Sequence, residues 1–352
     1  MKIAFILPKL VNEAPVIVVR DLINQIKDQV ALIDIYYFDD IREVDFVNNC
    51  YKISFFDEID FDKYDIIHSH MLRPDLFLYF NRHKIKKARC ISTLHNDIFK
   101  VLKDSHNRFV AFLVEKLWIK ALNSFDSIVV LSEHMKSQYT RSIKKVNMSV
   151  IFNGRDFQNS DKSEIDKLDF QSISSLKSQY KLIGASARLK KIKGFSQLIE
   201  VLPFLDEYAL VFIGDGDEKQ NLMELAKQLN VLDRCLFLGY RMDGYRYLNF
   251  FDFYAMTSYS EGFPLGMLEA AQNKLPVFCS DLPVFRELFD EREVSYFLLD
   301  NRDSLKNSIL ILEKNKDEFA DNLNKKVFDK YSLKNMGDNY LNLYKNNLVR
   351  SK

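Results

Sequence analysis

From the N-terminus to about residue 150, short unbroken apolar runs alternate with stretches where apolar residues recur every three or four positions. The runs are Ile3–Leu7, Ala31–Phe38, Ile66–His70, Cys90–Leu94 and Ile128–Leu131. Ile, Val and Leu follow one another there with little polar alternation, which predicts parallel strands covered on both faces. Val16–Lys27 and Arg108–Leu122 carry helical spacing, and Val150-Ile-Phe-Asn153-Gly154 closes the set. Arg155 to Ser178 is rich in Asp, Ser and Lys and predicts a linker. The alternation then restarts. Strands are predicted at Lys181–Ala187, Ala209–Ile213, Cys235–Leu238, Phe253–Met256 and Pro276–Cys279, with helices at Phe195–Leu205, Asp217–Asn230 and Leu265–Gln272. Two successive sets predict an α/β protein of two doubly wound, Rossmann-like domains facing each other across a cleft, residues 1–155 and 156–333. A last helix, about 334–352, puts Met336, Tyr340, Leu343 and Tyr344 on one face and is predicted to pack back on the first domain.

Composition agrees with two globular domains: 352 residues, 47% hydrophobic and 28% charged. A net charge of +1 predicts no nucleic-acid partner. Cys50, Cys90, Cys235 and Cys279 are scattered, as in a reduced, cytoplasmic protein without structural zinc. The opening Lys2–Pro8 reads as a first strand rather than a signal peptide. No apolar run reaches the roughly 18 residues a spanning helix needs. One local imbalance matters: Arg82, Lys84, Lys86, Lys87, Arg89, Lys100, Lys103, Arg108, Lys116 and Lys120 form a base-rich, aromatic stretch ending near Trp118. It predicts either a solvated helix surface or a face for anionic lipid headgroups or a phosphorylated acceptor.

The candidate chemistry lies where the glycines are. All ten fall at or beyond Gly154, and the first predicted domain has none before it. Three loops stand out: Arg188 to Gly194, Gly214-Asp215-Gly216, and Glu261-Gly262-Phe263-Pro264-Leu265-Gly266-Met267-Leu268-Glu269. The third joins a strand ending near Met256 to a helix with Pro264 in its first turn, where no amide donor is missed. The amides and partial positive charge of such a helix start suit a phosphate. Glu269, further along, can accept both hydroxyls of a ribose, and Glu261 can reach the polar groups at the other end of a ligand. Arg188 offers a planar fork and Lys193 a movable charge, enough to neutralise a diphosphate without a metal. No His/Cys set at ligand spacing appears, and no metal site and no bound cofactor are expected.

In this order the motifs resemble the retaining GT-B glycosyltransferases of family 4. Glu261 to Glu269 looks like the E-x7-E signature, Arg188-x4-Lys193-Gly194-Phe195 like the R-x4-K element, and Phe212 to Gly216 like the GDG turn. Phe237-Leu-Gly-Tyr-Arg241 resembles the FLG strand end and Ile151 to Gly154 the junction NG. The resemblance implies a GT-B fold and transfer of a hexose-type sugar, with retention, from a nucleotide sugar as co-substrate. UDP-sugars come first and GDP-sugars next. It implies that Arg188 and Lys193 bind the diphosphate, that Glu269 holds the ribose, that Gly216 belongs to the donor site, and that the strand end from Leu238 to Arg241 meets the base. Glu261 with the loop backbone of Gly262, Phe263, Pro264 and Leu265 would hold the sugar and phosphate. Ser92 to Asp97 resembles the family's histidine loop, which makes His95 a catalytic candidate. Asn96 and Ser132 join it on the acceptor side, while His68 and His70 lie in a stretch similar to the family's HSH. The acceptor implied is a glycan or polyprenyl-diphosphate-linked glycan of O-antigen, capsule or other surface polysaccharide synthesis. The place implied is the cytoplasm, with peripheral contact at the inner face of the membrane. The chain departs from the family in its first loop, Lys9 to Pro15, which lacks glycine and leaves the roles of Asn12 and Glu13 open. A dinucleotide oxidoreductase is disfavoured because G-x-G-x-x-G is incomplete: Lys219 stands at the third glycine. A nucleotide-sugar epimerase and a catalytically silent GT-B-like subunit remain as rivals, the second kept open by that first loop.

Overall fold

The computed structural model describes residues 1–95, 107–155 and 165–349. It divides into two compact units, Met1–Arg155 with Ser332–Lys352, and Asp156–Tyr331. The first contains β1 (Lys2–Leu7), α1 (Ala14–Ile26), β2 (Leu32–Tyr37), β3 (Asn49–Lys52), β4 (Ile66–His70), α2 (Leu72–Phe80), β5 (Arg89–Leu94), α3 (Arg108–Leu122), β6 (Ser127–Val130), α4 (Glu133–Tyr139) and β7 (Asn147–Val150). The second begins with α5 (Lys167–Lys177), β8 (Lys181–Ser186), α6 (Ser196–Val201), β9 (Tyr208–Ile213), α7 (Lys219–Gln228), β10 (Cys235–Gly239) and β11 (Phe253–Met256). It continues through α8 (Leu265–Gln272), β12 (Val277–Ser280), α9 (Pro283–Leu288), β13 (Ser295–Phe297), α10 (Arg302–Lys314) and α11 (Lys316–Lys330). The chain then returns to the first unit as α12 (Leu333–Val349).

The first sheet has seven strands in the order β3-β2-β1-β4-β5-β6-β7, the second six in the order β10-β9-β8-β11-β12-β13. Every named strand pair is parallel. Both sheets are therefore doubly wound, as the unbroken aliphatic runs predicted. All five residues of β4 and all six of β9 are buried, the two-sided cover such runs require. Strand order reverses between β1 and β4 and between β8 and β11, and ligands of open parallel sheets bind beyond the carboxyl ends at such reversals.

Helix starts follow local chemistry. Pro15 sits in the first turn of α1, Asn107 Oδ1 accepts from the Val110 amide at 2.9 Å, and Ser132 Oγ accepts from Met135 at 3.0 Å. The stretch predicted as a linker is the main correction. Its second part is helix α5, capped by Asp166, whose carboxylate accepts from the Leu168 and Asp169 amides. Only Asp169 and Ile173 of α5 are buried, so its apolar stripe is too thin to announce a helix. The last helix buries Met336, Tyr340, Leu343 and Tyr344 within the first unit. Gly337 stands against Gln25 and Ile26 of α1, and Ser127 Oγ donates to Asn347 Oδ1 at 2.8 Å. Among the described residues no helix is long and apolar enough to cross a membrane.

Candidate active site

In the second unit the reversal between β8 and β11 gathers the two cation-bearing and acid-bearing loops. Beyond β8, Leu189 is buried, its amide donates to Asp215 O at 3.0 Å, and its carbonyl accepts from Glu218 at 3.0 Å. The β8 loop thus lies on the Gly214–Gly216 turn. A β-carbon on Gly214 would fall 1.9 Å from Ala187 O, and one on Gly216 2.4 Å from Leu189 O. These glycines are required by close approach of backbone to backbone. Arg188, between Ala187 and Leu189, is exposed. A short 3-10 turn, Lys191–Lys193, ends at Gly194 with φ +64°, a left-handed value suited to glycine. A β-carbon there would meet Thr257 O at 2.2 Å. Tyr259 N donates to Ile192 O at 2.8 Å and Thr257 Oγ1 to Lys193 O at 2.8 Å, clamping this turn to the end of β11.

The clamp brings Lys193 Nζ to 2.7 Å from Glu261 Oε1, which also accepts from Ser258 Oγ at 2.6 Å. Ser280 Oγ in turn donates to Ser258 O at 2.6 Å. Glu261 is mostly covered, its side chain 11% exposed against 26% for Lys193. Pro264 is the residue before α8 rather than in its first turn, a one-residue shift of the predicted start. Gly262, Phe263 and Pro264 are buried, and the Phe263 ring packs edge-on against Tyr331. The Leu265 amide is turned onto Phe263 O at 3.1 Å. Glu269, on α8, is half-buried; burial and the nearby Glu269 and Glu261 carboxylates push the Tyr254 hydroxyl up from its ordinary range. Arg241 is engaged elsewhere: Nε and Nη2 form a fork on Asp169 at 2.6 and 2.9 Å, and Tyr247 Oη donates to the same carboxylate. The guanidinium holds the Asp169 carboxyl below its usual range.

In the first unit, His70 ends β4, His95 follows β5 and Ser132 follows β6, so they share the carboxyl edge of three adjacent strands. Asn96 lies outside the described residues. Ser132 is buried and its hydroxyl is the cap of α4. His95 Nε2 lies 2.8 Å from His70 Nδ1. His68, two residues back on the same face, lies against His70 with ring centroids 4.3 Å apart and planes tilted by 35°. It is fixed by Tyr344 Oη at Nδ1 and Thr93 Oγ1 at Nε2, each at 2.8 Å. Burial drives His68 and His95 down to about 3 and His70 well below its ordinary value, so all three rings are neutral at pH 7. Behind them Asp75 accepts from Ser69 Oγ and Trp118 Nε1, and burial raises its carboxyl to about 7. Met71, directly after His70, has φ +76° and ψ 170°, a strained conformation for a side-chain-bearing residue. Sequence reading marked Ser258 only through its Ser-x-x-Glu spacing to Glu261 and passed over Thr257 and the His70–His95 contact. For the histidine contact the His-x-His spacing was the available signal.

A family model described as Glycosyl transferases group 1 matches residues 166–330, and one described as Glycosyltransferase Family 4 matches residues 51–159. Together they cover most of the chain. It belongs to the GT-B glycosyltransferases of the family 4 type. Among relatives of this glycosyltransferase, the Escherichia coli O-antigen biosynthesis glycosyltransferase WclY is 29% identical over 99% of both chains. A Campylobacter jejuni N-acetylgalactosaminyltransferase, named for a diphospho-undecaprenol substrate, is 27% identical over 58% of this chain and 54% of its own. The same fold recurs in Anabaena HepE solved with UDP and glucose, with TM-score 0.80, 17% identity and coverage of 98% and 100%. It recurs too in sucrose-phosphate synthase from Thermosynechococcus elongatus, with TM-score 0.79, 16% identity and full coverage of both chains.

Proposed function

We propose that this glycosyltransferase moves a hexose-type sugar from a nucleoside diphosphate sugar, UDP-sugar ahead of GDP-sugar, to a hydroxyl of a polyprenyl-diphosphate-linked glycan. The pathway would be synthesis of O-antigen, capsule or another surface polysaccharide. The observation that carries the reading is the meeting of Lys193 and Glu261 beyond β8 and β11. Support comes from the full-length likeness to WclY, the lipid-linked substrate in the Campylobacter relative's name and the UDP in HepE. In the reaction the bond from the anomeric carbon to the diphosphate oxygen breaks. A bond to the acceptor oxygen forms on the same face, and the acceptor proton passes to the departing diphosphate. Arg188 and Lys193 neutralise the charge that develops, with the start of α8 behind them and no metal required. Glu261 orients the sugar hydroxyls and Glu269 the ribose. With the Arg241 fork already on Asp169, backbone at the end of β10 is left to meet the base.

A thermal-shift panel of UDP, GDP, CDP, dTDP and NAD, with magnesium or EDTA, tests the reading, since a ligand bound only by the native state raises its melting temperature. One nucleoside diphosphate should shift the melt equally under both conditions. A shift from NAD alone, or from none, removes the donor site as read; a shift that needs magnesium removes the metal-independent part.

The membrane-facing part of the reading narrows to α3. Trp118 is core, Arg82 and Arg89 pair with Asp126, and Lys84 pairs with Glu58, so much of the base-rich stretch serves the fold. Lys100 and Lys103 lie outside the described residues. Phe109, Phe112 and Leu113 are 72%, 52% and 51% exposed, with exposed Arg108, Lys116 and Lys120 on the same helix. Such a patch matches an anionic lipid surface. Co-sedimentation with phosphatidylglycerol vesicles at low salt should exceed that with phosphatidylcholine and fall in Phe109→Ser/Phe112→Ser. Equal sedimentation with both lipids counts against it.

A further inference from the structure

His70 Nδ1 and His95 Nε2 lie 2.8 Å apart, and both rings are buried. Two neutral imidazoles at that distance share one hydrogen, because two hydrogens would clash and none would oppose two lone pairs. Two arrangements satisfy this. If His95 donates from Nε2, its Nδ1 is a bare acceptor, and His70 carries its own hydrogen on Nε2. If His70 donates from Nδ1, its Nε2 is a bare acceptor, and His95 carries its hydrogen on Nδ1. His70 Nε2 is the atom that decides. It is buried and has no hydrogen-bond partner among the described residues. The rings of Phe5 and His68 pack against the His70 ring, with centroids 6.1 and 4.3 Å from its own. A buried N–H is almost never left unpaired, whereas an unpaired acceptor is tolerated more often. The second arrangement is therefore favoured. His68 offers no alternative donor, since Tyr344 and Thr93 occupy its two nitrogens.

We propose that His70 is a positioning residue that donates Nδ1–H to His95 and fixes His95 as the Nδ1–H tautomer. His95 then meets a sugar or acceptor hydroxyl oxygen as a hydrogen-bond donor and cannot serve as a base through Nδ1. The consequence for rate rests on the reading of His95 as a substrate-facing residue; the tautomer is a property of the free protein.

Two-bond 1H–15N spectra of the full-length protein labelled at histidine, at pH 7.5, test the tautomer directly. The His95 ring is identified by its loss in His95→Gln. Nδ1 of His95 should be pyrrole-like and Nε2 pyridine-like; the reverse pattern, or an average of both, overturns the proposal. In kinetics, His70→Leu should lower kcat roughly ten-fold, the scale for lost partners that orient a working histidine. The donor KM should stay within about two-fold, and the His95 tautomer should shift toward Nε2–H. His70→Asn keeps an amide donor near the Nδ1 position and should recover part of the rate and the native tautomer. Equal losses in both variants with the His95 tautomer unchanged would assign His70 to packing alone. If His70→Leu does not fold, the wild-type spectrum still decides. If the protein transfers no sugar, the same spectrum separates failure of this inference from failure of the proposed function.

Discussion

Glu261 Oε1 receives two hydrogen bonds, from Ser258 Oγ and Lys193 Nζ, in a loop rather than in the core. Glu261→Ala should therefore lower transfer by roughly 10²-fold or more, the scale for losing one preorganised group. The melting temperature should stay within a few degrees, because Lys193 is partly exposed and can be hydrated. A transfer assay beside a thermal melt checks both halves. Arg188→Ala should weaken binding of a nucleoside diphosphate about ten-fold or more while leaving the nucleoside nearly unchanged; equal losses by calorimetry would contradict the phosphate role. The buried histidines make a pH prediction. Their folded values are depressed, so the stability they contribute is complete above the unfolded value near 6.5 and is lost as pH falls toward 3. Each contributes a slope of up to about 1.4 kcal/mol per pH unit. Asp75, raised by burial to about 7, has the opposite sign and offsets about one histidine between roughly pH 4 and 7. The urea midpoint of the first unit, followed by Trp118, the single tryptophan, should fall between pH 7.5 and 5.5. A flat response would contradict a neutral buried cluster.

At the scale of elements, aliphatic runs found most of the central strands because each is covered on both faces. β3 and β7 lie at the edges of their sheet, contain no fully buried residue and left little signal. β13 is three residues long and passed unnoticed for its shortness. Helix α5 was hidden in the same way, by Leu168 and Phe170 turned outward. Turn chemistry was legible at Gly194, although the sequence could not say what approaches it. In the structure the answer is Thr257 O, so Gly194→Ala combines a left-handed backbone with a contact at 2.2 Å. The substitution should cost about 1–3 kcal/mol or more. Calorimetry should show a lower melting temperature, and UDP should stabilise the variant less than the parent because the Lys193 turn is displaced. A variant with the parent's melt and UDP response would contradict the clamp.

For the molecule as a whole, α12 makes the first unit discontinuous in sequence. Met336, Tyr340 and Tyr344 are 1% exposed or less, and the tyrosines reach His68 and Thr93 on the strands beneath. Burial of such a side chain contributes roughly 1.5–3 kcal/mol, so losing several removes a large part of a domain's usual 5–15 kcal/mol. A chain ending at Tyr331 should show a red-shifted, readily quenched Trp118 and rapid proteolysis within the first unit. Native Trp118 emission in that truncation would mean that α12 is dispensable.

Sequence by itself determined the two doubly wound sheets and the family, because buried parallel strands need unbroken aliphatic runs and because Arg188, Lys193, Glu261 and Glu269 keep recognisable spacings. It did not determine which groups touch. The Lys193–Glu261 pair is separated by 68 positions and His68–Tyr344 by 276. Such contacts depend on strand order and on where each loop leaves its sheet. Protonation was decided at the same level. An isolated histidine titrates near 6.5, and only enclosure by Phe5, Thr93 and α12 keeps His68, His70 and His95 neutral and orders the hydrogen between two of them.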